Sequence, residues 1–111
     1  MAFYHTSQDA GLAVIYLRCY PYDMWRMEPH RNALAHLAEL LGHPEPPVYL
    51  DNGYRSGVKL PALERVIALA GAKMCRLLLV PGPFVFSIYE REARSITRRI
   101  TAAGCNVVQL P

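Results

Sequence analysis

Ala13-Val-Ile-Tyr-Leu-Arg-Cys-Tyr20 is the stretch on which the fold turns. From Leu12 to Cys19 the side chains are apolar, β-branched or aromatic with Arg18 as the single charge, and Pro21 ends the run. A strand with one wet face alternates apolar and polar residues. A run without that alternation reads as a strand covered on both faces. Such strands belong to parallel sheets with helices packed on either side.

Reading outward, residues 1–11 are polar and mixed and form a short flexible lead to a single domain over 12–111. After the strand a loop runs from Tyr20 to Glu28, and Pro29 suits the first turn of a helix reaching Leu41. Ala33, Leu34, Leu37, Ala38 and Leu41 recur there at three- and four-residue spacing, with Gly42 as the stop. Pro44, Pro46 and Pro47 make a stiff connector into a short strand, Val48 to Leu50, and a loop follows from Asp51 through Gly57. Pro61 opens a second helix with Leu63, Val66, Ile67 and Ala70 on one face, closed by Gly71. Arg76 to Val80 is another apolar strand, broken by Pro81-Gly-Pro83. A third helix beginning near Ser87 carries Ile88, Ala93, Ile96, Ile100 and Ala103 inward, Gly104 ends it, and Val107 to Leu110 is the last strand. Strand and helix alternate throughout, which predicts a three-layer α/β/α domain around a four-stranded, largely parallel sheet.

The chain has 111 residues, enough for one packed domain, and is 52% hydrophobic and 19% charged, which fits a packed globular core and argues against a disordered chain. Its net charge of +3 is a milder excess than dedicated nucleic-acid binders carry. The three cysteines, Cys19, Cys75 and Cys105, are odd in number and lack any paired spacing, so they read as buried free thiols in a reducing compartment. No apolar run approaches the ~20 residues of a membrane span. The first ten residues lack the basic and apolar regions of a signal peptide, and a cytoplasmic location is expected. His5, His30, His36 and His43 have no carboxylate at ligand spacing, so neither a metal nor a cofactor is expected.

In an open parallel sheet, ligands bind beyond the carboxyl ends of the strands. Here those ends are Arg18-Cys-Tyr20, Asp51-Asn-Gly53, Pro81-Gly-Pro-Phe84 and Pro111. Four segments carry a likeness in register: Ile15-Tyr-Leu-Arg18; Tyr49-Leu-Asp51-Asn-Gly53 with Ser56-Gly57; Lys59-Leu-Pro-Ala-Leu63; and Ala103-Gly-Cys-Asn-Val-Val108. Together they resemble the catalytic domain of the serine recombinases (resolvases and invertases) from Leu12 to Leu110. That resemblance implies a flavodoxin-like strand order 2-1-3-4. It also implies a site in which a serine attacks phosphorus while several arginines neutralise the transition state.

Compared with that pattern, Arg18 matches the strand-end arginine, and Tyr20 stands where the nucleophilic serine would be. Asp51 matches an acidic residue, and Ser56 with Gly57 resembles a Ser-Gly pair with one residue inserted. Leu60, beside Lys59, replaces an arginine at the second helix. Pro83-Phe84 and Ser87 replace an Asp-Arg pair and a further arginine. Arg18, Tyr20, Asp51 and Ser56 are therefore read as a degenerate site, and the chain is expected not to be an enzyme. Tyr20 is a poor substitute nucleophile, because its oxygen lies several ångströms from a serine hydroxyl's place and the cations are missing. Cys19 points to the opposite side of the strand from Arg18. Asp51 reads as a cap and turn residue or a relic acid, and Arg18 as its ion-pair partner or an anion ligand.

Two surfaces remain as candidates. Tyr20, Tyr22, Trp25, Tyr54, Phe84 and Phe86 gather in carboxyl-end loops, where they form a recognition patch or fold in to plug the vacated cleft. Arg91, Arg94 and Arg98 share one face of the third helix, with Arg99 beside them and Glu90 and Glu92 opposed; they make a solvated face or a phosphate contact. The expectation is a non-enzymatic protein-interaction or regulatory module with a protein partner or a second copy. A weakly DNA-binding accessory regulator is the alternative, and neither a membrane nor a small-molecule substrate is expected. The resemblance also implies a further strand, a long dimerisation helix and a DNA-binding domain, none of which this sequence contains.

Overall fold

A computed structural model describes residues 12–19, 24–52 and 60–110. The elements are β1 (Ala13–Cys19), α1 (Met24–Leu40), β2 (Val48–Asn52), α2 (Pro61–Gly71), β3 (Leu77–Val80), a 3-10 turn (Pro83–Val85), α3 (Glu90–Ala102) and β4 (Asn106–Gln109). The strands form one sheet in the order β2-β1-β3-β4, and every neighbouring pair is parallel. This is the α/β architecture and the strand order expected from the sequence.

The reason β1 lacks alternation is now visible. Val14 and Tyr16 face one layer with Leu78 and Val80, against Leu63 and Val66 of α2 and Ile100 of α3. Ile15 and Leu17 face the other, with Leu79 against Leu34 and Ala38 of α1. All four β1 side chains are buried, each worth about 1.5–3 kcal/mol for the larger aliphatics. The outer strands differ in composition for the same reason. Val48 and Leu50 of β2 and Asn106 and Gln109 of β4 are exposed, as residues of edge strands often are.

Several boundaries depart from expectation: β3 begins at Leu77 and β4 runs Asn106–Gln109, each a shift of one residue, and four others matter more. The first helix begins at Met24, and Pro29 lies inside it instead of opening it. Proline removes one backbone donor, so the Trp25 carbonyl loses its partner; with Pro29 on the exposed face that loss is tolerated. The same helix ends at Leu40, and Leu41 beyond it is about half exposed. β2 extends to Asn52, so Asp51 is a strand residue and not a turn residue. The third helix starts at Glu90, and Ile88, expected inside, is 73% exposed because it precedes the helix and escapes its period. Ser87 Oγ accepts a hydrogen bond from the Tyr89 N–H at 3.0 Å and shapes that approach. Among the described residues, no helix is long and apolar enough to cross a membrane.

Candidate functional site

β1 and β2 bring Arg18 and Asp51 opposite each other at the carboxyl end of the sheet. Asp51 is buried and its carboxylate is committed three times over. Oδ1 accepts from the Ala62 N–H at 2.9 Å, and Oδ2 accepts from the Leu63 N–H at 2.9 Å and the Tyr16 hydroxyl at 2.8 Å. The need for it lies in α2. Leu60, at the helix N-cap, has no side-chain acceptor, and Pro61 has no N–H to satisfy. The Ala62 and Leu63 donors would be orphaned without Asp51, while the Glu64 N–H already reaches the Leu60 carbonyl at 2.9 Å. Asp51 is thus a cap supplied from a neighbouring strand, with its negative charge at the positive end of the helix dipole.

Tyr16 completes the arrangement. Burial first, then the charge of Asp51 and the hydrogen bond to it, push the phenol well above its ordinary range; the positive charge of Arg18 acts in the opposite sense. Its ring stacks on Phe86, with centroids 6.1 Å apart and planes 15° apart. Phe86 is therefore a core residue and not part of a surface patch: it lies under the turn after β3, fully covered.

Phe84 behaves differently. The 3-10 turn lifts it out, half exposed, with the His30 ring of α1 6.1 Å away. Its ring lies over Gly82, where an added Cβ would come within 2.8 Å of Phe84 Cε1. The backbone there has room for glycine and little more. Pro83, Phe84 and Ile88 then line a groove of about 500 Å³ that continues along α3 past Ala93, Arg94, Thr97 and Arg98 to Gln109 of β4. Two groups that the sequence assigned to separate surfaces, Phe84 and the Arg94/Arg98 pair, share one groove.

The α3 charges divide. Arg91, Arg94 and Arg98 are exposed, and Arg94 lies 3.9 Å from Glu90 in a solvated pair of small energetic weight. Arg99 turns to α2 and meets both oxygens of Glu64 at 3.3 and 3.4 Å, so it ties two helices together. Tyr20, Tyr22, Tyr54 and Ser56 lie outside the described residues, as does the side chain of Trp25, which belongs to α1. Among the described residues, no three His, Cys, Asp or Glu side chains are grouped to hold a metal. The sequence reading missed Tyr16, whose signal was its position two residues before Arg18 on the same strand face, and Ile88, which carries no signal outside the helix period.

No protein-family model matches the sequence, and no curated protein does. Solved structures do. The C-terminal catalytic domain of ISC1926 TnpA, an IS607-like serine recombinase, superposes with a TM-score of 0.75 at 18% identity, over 87% of this chain and 65% of that one. The N-terminal catalytic domain of TP901-1 integrase gives 0.77 at 20% identity, over 88% and 76%. A resolvase family site-specific recombinase from Streptococcus pneumoniae gives 0.71 at 16% identity, over 87% and 70%. The chain spans about two thirds of the first of these and somewhat more of the others. Sheet order, helix placement and these superpositions together show that this chain has the fold of the serine recombinase catalytic domains.

Proposed function

We propose that this domain acts without catalysis, as a cytoplasmic module that self-associates or holds a protein partner through the groove beside α3. One observation carries the reading. At the carboxyl end of β3, where a phosphoryl-transfer site needs converging cations, the chain supplies Pro83, a half-exposed Phe84 and an exposed Ile88. An apolar centre with Arg94 and Arg98 at its margin has the composition of a protein interface core and rim. Asp51, already bonded to two helix donors and a phenol, cannot serve as a free general base without uncapping α2.

Sedimentation velocity over a wide concentration range tests this. Self-association is expected that changes little with salt and weakens at least about tenfold on Ile88→Asp, since a charge is placed in an apolar contact. A strictly monomeric protein overturns self-association and leaves a different protein as the occupant of the groove. Duplex binding that falls steeply with salt and is lost with Arg94→Ala plus Arg98→Ala would install the DNA-associated regulator instead. A covalent DNA adduct abolished by Tyr20→Phe would install an enzyme.

A further inference from the structure

At the end of the sheet opposite the groove, two cysteines from different parts of the chain meet. Cys75 precedes β3 and Cys105 precedes β4; both are buried, and their sulfur atoms lie 3.5 Å apart. The turns that deliver them are built alike. Lys73 after α2 and Gly104 after α3 both take a left-handed backbone, φ 65° and 97°, which folds the chain from helix into strand. Lys73 Nζ also donates to the Ala103 carbonyl at 3.4 Å and holds one turn against the other. The two thiols are thus fixed in contact by the supersecondary structure, and only about 1.5 Å separates that contact from a disulfide bond length.

We propose that Cys75 and Cys105 form an oxidisable dithiol, which a small hydroperoxide converts to a disulfide stapling the α2–β3 turn to the α3–β4 turn. Size selects the oxidant. A pair 1% exposed excludes bulky disulfides such as oxidised glutathione, whereas hydrogen peroxide is nearly water-sized. Either sulfur can donate across the contact; with Cys105 as donor, the hydrogen bond favours the thiolate at Cys75 and disfavours it at Cys105, which sets the order of steps. The Cys75 thiolate attacks one peroxide oxygen and the O–O bond breaks. Hydroxide leaves, and Cys75 becomes a sulfenic acid. Cys105 sulfur then attacks Cys75 sulfur; the S–S bond forms, the S–O bond breaks, and the Cys105 proton leaves with the departing hydroxide as water. In sum, two thiols and one peroxide give one disulfide and two waters.

The test uses the whole chain, reduced, then treated with hydrogen peroxide, alkylated under denaturing conditions and mapped by mass spectrometry without reduction. The expected result is a loss of about 2 Da and a single Cys75–Cys105 cross-linked peptide within one molecule. The same product is expected in Cys19→Ser, and Cys105→Ser should give a Cys75 sulfenic acid that dimedone traps when it is added together with the denaturant. Wild-type mapping decides alone if either variant fails to fold. Both thiols remaining alkylatable, a link to Cys19, a link between molecules, or a Cys75 sulfinic acid beside an untouched Cys105 would each overturn the proposal. A second readout is the melting temperature, expected to rise on oxidation and return with dithiothreitol. A fall would mean that the strands must shift to make the bond, contrary to the pre-aligned geometry.

Discussion

Asp51 joins three segments of the chain through one carboxylate, and its removal tests that directly. Asp51→Ala leaves the Tyr16 hydroxyl and two helix donors buried without partners, so a loss of about 3 kcal/mol or more in urea denaturation is expected. Tyr16→Phe should cost about 1 kcal/mol, because it removes one donor and leaves Asp51 its two backbone partners. Its effect has a pH signature. The folded-state phenol titrates above its unfolded value of 10.0, so the native state holds its proton longer than the unfolded chain does. That contribution is complete below about pH 10 and is lost as pH rises beyond it. Denaturation midpoints measured at about pH 8 and about pH 11 should therefore fall further in the wild type than in Tyr16→Phe. A cap was one of the sequence readings of Asp51, but its place inside β2 and the helix it caps were not legible. Capping rules look to the residue just before a helix, and here the donors lie 11 and 12 residues further on. A helix opening on Leu60-Pro61, with no polar N-cap, was the available hint.

At the scale of elements, local pattern predicts well where one periodicity governs and fails where two meet. β1 and α2 were legible because every inward residue obeys a strand or helix period. The segment from Pro81 to Tyr89 obeys neither. It passes from strand through a 3-10 turn to helix, so Phe86 falls inside and Phe84 and Ile88 fall outside, with no rule in composition to separate them. Gly82 is the hinge of that arrangement, and Gly82→Ala should push the Phe84 ring aside. The clash is with an exposed ring and not with backbone, so stability should change by about 1 kcal/mol or less while self-association through the groove weakens several-fold. Paired calorimetric melts and sedimentation runs on the variant check both halves of that expectation.

Across the whole molecule the two faces of the sheet are unequally covered. Among the described residues α2 and α3 together build the larger core, whereas α1 sets Leu34 and Ala38, with Leu37 beside them, against Ile15, Leu17 and Leu79. Amide hydrogen exchange should therefore show α1 opening at lower free energy than β1 and β3. Leu34→Ala, expected to cost about 2–5 kcal/mol, should widen that difference, and equal protection in all three would contradict it. The three-layer plan was legible from the alternation of strand and helix, while the strand order came only with the serine-recombinase resemblance. The exposure of Ala33 and Leu41 was not legible, since both fit the apolar spacing of the first helix. The placement of β1 has one more consequence, for the timing of synthesis. Ile15 pairs with Val48 and Ala13 with Leu77, so the strand that emerges from the ribosome first waits for both neighbours. A nascent chain carrying an unpaired, two-sided apolar ribbon is a natural client for chaperones, and its vulnerability to misassembly ends only when β3 is out.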